Sequence, residues 1–157
     1  MTEEWNRYRY HQARNWLANI RGLGEKVSST QAMIEAERDL MDGVRAIDPS
    51  KEGGSSRADD AMVDIITRME RHISEFVAMV AEYEGERMDA RVRLSKLEEP
   101  AERAALTYRY LLGWSWEEIC VEMHYSYDGM MKLRRRAIVN AYDVLPAEWR
   151  DHIPRAF

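Results

Sequence analysis

The chain has 157 residues, of which 45 % are hydrophobic and 32 % are charged. That length fits one domain, or a small domain with a helical extension, and the composition excludes an intrinsically disordered chain. No segment approaches the roughly 18 to 20 apolar residues that a transmembrane helix needs, and the polar N-terminus predicts no signal peptide. Cys120 is the single cysteine, which favours a buried thiol in a reducing compartment. We therefore expect a cytoplasmic protein that does not contact membranes.

The net charge is −5, from 23 Lys and Arg against 28 Asp and Glu. A negative balance is not typical of proteins that coat nucleic acid through bulk positive charge. It is compatible with one local basic face, because residues 126–140 contain four basic side chains and one acidic side chain, Asp128.

Helical periodicity predicts three helices in residues 1–97. The first spans residues 3–21 and ends at Gly22 and Gly24. The second begins at a cap within Ser28–Thr30 and runs to about Ala46, with an apolar line formed by Met33, Ala36, Leu40, Val44 and Ile47. The composition of residues 50–56 predicts a flexible loop.

The third predicted helix is long and runs from about Ala58 to Leu97. Its apolar positions alternate steps of four and three, with one break at Arg87; they are Met62, Ile66, Met69, Ile73, Phe76, Val80, Tyr83, Ala90, Leu94 and Leu97. A repeat of about 3.5 residues is typical of coiled coils. A single helix cannot bury such a line, so we expect it to pack on the first two helices, on a second copy, or on both. A homo-oligomer formed through this helix is the expected assembly.

Residues 98–146 form a second predicted domain of three short helices, followed by a tail at residues 147–157. The first short helix runs from Pro100 to Leu112 and ends at Gly113, as helices commonly end at glycine. The predicted fold is therefore all-α, with a long helical hairpin or coiled-coil-like N-terminal region before a three-helix domain.

The second and third short helices have recognisable caps. Ser115 and Glu118 match the S-x-x-E capping box, and Ser126 follows the turn His124-Tyr125 as a good N-cap. Two short helices joined by a tight turn are the outline of a helix-turn-helix, whose later helix enters the DNA major groove.

The last helix has two different sides when residues are placed at about 100° intervals. Met130, Leu133, Ala137 and Ala141 share the side that we expect to pack inward. The other side and its flanks carry the candidate DNA-binding residues, which are Tyr127, Asp128, Met131, Lys132, Arg134, Arg135 and Arg136. Lys and Arg can bind phosphates or guanine edges, and Asp can accept a hydrogen bond from cytosine. A basic cluster late in a helix also suits the helix dipole or a solvated surface.

This block resembles the C-terminal helix-turn-helix of bacterial sigma factors, the domain that binds the upstream promoter element. The matching positions lie in all three helices and are Arg109, Tyr110, Gly113, Trp116, Glu117, Glu118, Ile119, Ser126, Met130, Leu133 and Ala137. With its helical N-terminal region, the chain is similar to phage-encoded transcriptional regulators of the late-operon activator type. The resemblance is specific over residues 100–145 and only architectural over residues 1–97. Cys120 and Gly129 depart from the pattern, which favours alanine and a contacting side chain at those positions.

The sequence contains no recognisable catalytic constellation. The four histidines are scattered without metal-ligand spacing, and neither a Walker loop nor a dinucleotide-binding glycine pattern occurs. We therefore predict no enzyme activity, no cofactor and no bound metal.

The resulting hypothesis is a sequence-specific transcriptional regulator, phage or prophage encoded, that binds double-stranded DNA. Its acidic remainder either prevents stray DNA binding or contacts RNA polymerase. The alternative hypothesis is a non-catalytic helical interaction or assembly protein, such as a phage packaging or scaffold component. In that case the long helix would be the functional surface and residues 98–146 a structural cap.

Overall fold

The computed structural model describes residues 2–46 and 55–150. These residues form helices and connecting turns, and no strand occurs in either range, so the predicted all-α fold is confirmed. The helices are α1 (Glu3–Arg45), α2 (Ser55–Leu94), α3 (Pro100–Leu106), α4 (Trp116–Met123), α5 (Tyr127–Ala141) and α6 (Ala147–Arg150). A π-helical turn, Thr107–Leu111, continues α3, and a 3₁₀ turn, Tyr142–Val144, continues α5. No helix in this part of the chain has an apolar stretch long enough to cross a bilayer.

The first two predicted helices are one continuous helix, α1. Gly22 and Gly24 lie inside it, so the prediction that these glycines end a helix was wrong. Gly22 keeps a helical backbone, since Gly113 is the one glycine with a positive φ in the described ranges. A glycine costs a helix about 1 kcal/mol relative to alanine. Buried packing on both sides of Gly22, through Ile20 and Thr30 among others, offsets that cost.

The bounds of the second long helix also differ from the prediction. α2 begins at Ser55 and ends at Leu94, whereas the sequence predicted about Ala58 to Leu97. Of the predicted loop at residues 50–56, the part before Ser55 lies outside the described residues, as does the predicted tail after Arg150.

The chain divides into two compact units. One unit consists of Glu25–Tyr83, and the other combines Met1–Gly24 with Glu84–Phe157. The second unit therefore contains the three-helix block together with the start of α1 and the end of α2. The boundary predicted at residues 97 and 98 does not anticipate that the start of α1 and the end of α2 belong with this block.

The unit Glu25–Tyr83 is an antiparallel helical hairpin within one chain. Its two helices meet along a line of buried or half-buried side chains, which on α1 are Val27, Thr30, Ile34, Glu37, Met41 and Val44, and on α2 are Met62, Ile65, Met69, His72, Phe76, Met79 and Tyr83. His72 Nδ1 lies 2.9 Å from Glu37 Oε2, and the Thr30 hydroxyl lies 3.5 Å from Met79 Sδ. We call this line the hairpin seam.

The hairpin seam has the predicted repeat but a different register. Met62, Met69, Phe76 and Tyr83 lie on it as predicted, whereas Ile66 and Ile73 are exposed and Ile65 and His72 take their places. On α1, Val44 lies on the seam as predicted, but the prediction was wrong for Met33, Ala36 and Leu40, which are exposed. The predicted Ile47 lies outside the described residues. The register differs because two polar residues, Glu37 and His72, pair across the seam. A repeat of apolar residues alone does not include them.

We predict that Gly22→Ala stabilises the protein by about 0.5 to 1 kcal/mol, since alanine is the better helix former and no neighbouring atom lies within 4 Å of an added Cβ. The matched variant Gly113→Ala should destabilise it, because Gly113 has a φ of +77° that only glycine adopts without strain. Urea unfolding measures both. A destabilising Gly22→Ala would mean that α1 is interrupted at this residue.

Candidate nucleic-acid interface

The turn before α4 sets where the short helix begins. Gly113 provides the positive φ that ends the preceding π-helical turn. Ser115 then caps α4: its hydroxyl accepts from the Glu118 amide at 3.2 Å, and the Glu118 carboxylate accepts from the Ser115 amide at 2.8 Å. These hydrogen bonds favour the ionised carboxylate and lower the pKa of Glu118. The predicted capping box is confirmed.

The turn between α4 and α5 is equally well defined. His124 adopts a left-handed backbone with φ of 57°, and the Tyr125 amide donates to the Cys120 carbonyl at 3.0 Å. Ser126 caps α5 by accepting from the Gly129 amide at 3.1 Å. A Cβ on Gly129 would lie 3.0 Å from that hydroxyl, so glycine leaves room for the cap. This contact gives a structural reason for the departure from the sigma-factor pattern at Gly129.

One side of α5 is buried against α3 and α4. Met130, Leu133, Ala137 and Ala141 are at most 1 % exposed, as the helical spacing predicts. Ile138 is fully buried as well. Burying each large apolar side chain contributes about 1.5 to 3 kcal/mol, which fixes the rotation of α5 about its own axis.

Five of the seven candidate residues are exposed on α5: Tyr127, Asp128, Lys132, Arg135 and Arg136. Asp128, Lys132 and Arg135 lie opposite the buried side, Arg136 flanks them, and Tyr127 is the first residue of the helix. In the described ranges neither Lys132 nor Arg135 has an ion-pair partner, whereas Arg136 Nε lies 3.8 Å from Glu102 Oε1. We call these five residues the α5 outer face.

Glu102 is a buried side chain that sequence reasoning missed. Glu102 is 2 % exposed. Asn140 Nδ2 donates to both of its carboxylate oxygens, at 3.0 and 3.1 Å. Glu102 lies in the first turn of α3, where an acidic residue is ordinary, and its partner is 38 positions away in the sequence. No local pattern links the two residues, so only the fold brings them together.

The remaining two candidates, Met131 and Arg134, are half-buried and lie beside the outer face rather than on it. The Arg134 guanidinium carbon lies 5.0 Å from the centre of the Trp116 ring, and that of Arg109 lies 5.6 Å from the same ring. Two arginines therefore stack on one indole. The charge of Arg134 is held in place by this stacking, and its Nε is buried without a hydrogen-bond partner in the described part of the chain.

Several positively charged side chains lie close to Arg109. Burial lowers the pKa of Arg109, and the nearby charges of Arg21 and Arg134 lower it further. Arg21 is on α1, so three separate helical segments bring cations to the same place. Like charges that lie close together raise the local potential and attract anions.

The start of α1 is fixed beside the end of α5. Arg9, which is 5 % exposed, forms an ion pair with Asp143 at 2.9 Å. The Tyr8 hydroxyl donates to the Arg150 carbonyl at 3.0 Å. The rings of Trp5, Tyr8 and Tyr142 contact one another, with centroids 5.4 to 6.1 Å apart. This anchoring accounts for the presence of the start of α1 in the same unit as the three-helix block.

A cavity of about 400 Å³ opens between the start of α1 and α5. Its lining comes from both helices and consists of Arg7, Tyr10, His11, Met131, Arg134 and Arg135. We call it the α1–α5 cavity. Its α5 residues were predicted from the sequence to bind DNA. Those of α1 were not, because the arginines of α1 occur in an ordinary amphipathic pattern.

The described residues contain no group of histidine, cysteine and carboxylate side chains that could hold a metal ion. Cys120 is half-buried in α4. The exposed cations of α5 and of the α1–α5 cavity can bind anions and hydrogen-bonding groups.

We predict that Asn140→Ala destabilises the protein by about 1.5 to 3 kcal/mol, because it removes the two hydrogen bonds to the buried Glu102 carboxylate. Asn19→Ala is the matched control, since Asn19 is an exposed residue of α1. Chemical unfolding of both variants provides the measurement. Equal stabilities for the two variants would show that the Glu102–Asn140 contact contributes nothing.

Comparison with known proteins adds no relative to this picture. No family model, no curated protein and no solved structure matches the chain. The likeness to the C-terminal domain of sigma factors therefore depends on the residues, caps and turns described above.

Proposed function

We propose that this chain is a sequence-specific DNA-binding transcriptional regulator, phage or prophage encoded and acting in the bacterial cytoplasm. The observation that carries the proposal is the α5 outer face, where Lys132, Arg135 and Arg136 are exposed on one side of a helix whose other side is buried. A helix is about 10 to 12 Å across, and the major groove is about 12 Å wide. α5 enters this groove, and α4 supports it from behind.

The candidate residues have different roles in this proposal. Lys132 and Arg135 supply the main contacts, because they are exposed and have no ion-pair partner among the described residues. Arg136 contacts Glu102, but its side chain is 61 % exposed, so it can also reach the DNA. Tyr127 and Asp128, at the start of α5, reach a phosphate and a base edge respectively.

The two units differ in net charge. Residues 25–83 contain 13 acidic and 7 basic side chains, whereas the rest of the chain contains 15 acidic and 16 basic ones. An acidic hairpin opposes unspecific DNA contact through charge repulsion, and it presents a surface for a basic patch of RNA polymerase. The regulator therefore binds DNA with one unit and uses the other unit for protein contacts.

We predict that Lys132→Ala combined with Arg135→Ala abolishes duplex binding without lowering the melting temperature, because both side chains are exposed. A duplex obtained by selection from a random pool serves as the probe, and fluorescence anisotropy at several salt concentrations gives the affinity. The matched control replaces two exposed cations of the same unit, Arg91 and Lys96, by alanine.

Two outcomes would contradict the proposal. If the wild-type protein selects no duplex and shows no salt-dependent DNA binding, the chain is not a DNA-binding protein. If the double variant binds as tightly as the control, α5 does not contact DNA.

We also propose that the hairpin associates with a second copy of itself. α2 carries an outward apolar line whose spacing continues the heptad pattern: Val63, Ile66, Ile73 and Val77, which are 39 to 63 % exposed. Steps of three, four and seven suit packing against another helix. A two-fold dimer would present two copies of α5, which is the usual arrangement for paired half-sites on DNA.

The same outward line is the observation that favours the second candidate function, a helical assembly protein. Such a protein would use the line to bind many copies or a different partner, and it would have no affinity for DNA. Duplex binding by the wild-type chain separates the two functions directly.

We predict that Ile66→Glu combined with Ile73→Glu converts a dimer into a monomer in sedimentation equilibrium. Association of the wild-type chain should strengthen as salt rises, because salt screens the repulsion between acidic hairpins. Val121→Glu, at a residue that is 77 % exposed on α4, is the control and should leave the dimer intact. A wild-type chain that is monomeric at high salt would contradict this part of the proposal.

A further inference from the structure

The α1–α5 cavity has a lining of unusual charge. Arg7, His11, Arg134 and Arg135 contribute to it, and no aspartate or glutamate among the described residues does. Arg7 and Arg135 are exposed, and neither has an ion-pair partner in residues 2–46 or 55–150. Folding thus gathers three guanidinium groups around one cavity, and none of its described lining residues has a carboxylate to neutralise them. A cavity of this kind is suited to an anionic ligand.

The geometry around the cavity is held in place from both sides. Trp116 stacks against Arg134, which restricts where that guanidinium points. On the other side, the ion pair with Asp143 holds Arg9 against the turn that continues α5, and the Tyr8 hydroxyl donates to the Arg150 carbonyl in α6. These contacts fix the start of α1. Arg7 and His11 lie one helical turn apart on this anchored segment. Arg134 and the helices that carry Arg7 and Arg135 are therefore preorganised, so an anion can bind without ordering the backbone first.

We propose that the start of α1 is a second DNA-binding element, in which Arg7 binds a backbone phosphate together with Arg134 and Arg135. The inference rests on the proposed function, since it places the cavity beside the groove that α5 enters. A helix that fills the major groove has a phosphate strand on each side of it. An element packed alongside that helix, as α1 is, meets the strand at the groove edge.

The chemistry of the lining fits a phosphodiester. The planar guanidinium group binds two phosphate oxygens at once, which a lysine ammonium group does not. Tyr10 and Met131 add less polar walls to the cavity, and these suit the deoxyribose next to the phosphate. The cavity volume of about 400 Å³ is large enough for both groups. The phosphate contact sets the orientation of α5 on the duplex and contributes no base preference.

The test compares Arg7→Gln, Arg7→Lys and the wild-type full-length chain on the selected duplex and on an unrelated duplex. Removing one phosphate contact should reduce the slope of log K against log salt by about 0.9. We expect Arg7→Gln to show this loss and to weaken binding to both duplexes by the same factor. Arg7→Lys should keep most of the slope, and the control Arg91→Gln should keep all of it. The thermal melting temperature of every variant should remain that of the wild type.

Three results would overturn the inference. An unchanged slope for Arg7→Gln, with tight wild-type binding, would remove the phosphate contact while the proposed function stands. A changed preference for particular base pairs would make Arg7 a base-contacting residue instead. If Arg7→Gln keeps the slope but loses binding of a labelled hexaglutamate peptide, the cavity is a site for an acidic protein partner. Absence of any duplex binding by the wild-type chain is the separate result that would overturn the proposed function itself.

Discussion

The burial of one side of α5 is the constraint on which the proposed DNA-binding surface depends. Met130, Leu133, Ala137 and Ala141 pack inward, and a helix has only one rotation that satisfies all four. This rotation of α5 places Lys132 and Arg135 on its exposed side. The two caps add to this constraint, because Ser115 and Ser126 fix the residues at which α4 and α5 begin. The surface is therefore a consequence of core packing as much as of charge.

Much of this block could be predicted from the sequence because the signals are local. The S-x-x-E capping box, the glycine at the end of a helix and the apolar spacing of α5 each involve residues a few positions apart. The long helices were harder to predict. Gly22 is a helix-ending signal on its own, yet the packing on both sides of it outweighs the local preference, and α1 continues to Arg45.

Polar residues at buried positions account for the remaining differences. The pairing of His72 with Glu37 shifts the seam of the hairpin by one residue on α2, which exposes Ile66 and Ile73. Glu102 is buried because Asn140 and Arg136 come to it from the far end of α5. The half-buried position of Arg134 depends in the same way on Trp116. Each of these contacts joins residues that are distant in the sequence, so no periodicity reveals them.

The pairing of His72 with Glu37 has a further consequence for the hairpin. Two helices with a regular heptad repeat can in principle slide past each other by seven residues and still bring apolar side chains together. Here a slip of that size would place Glu37 opposite Ile65 or Met79 and leave its carboxylate without the imidazole. One polar pair, at a modest cost in hydrophobic burial, therefore selects a single alignment of α1 against α2 from several that the apolar residues alone would accept.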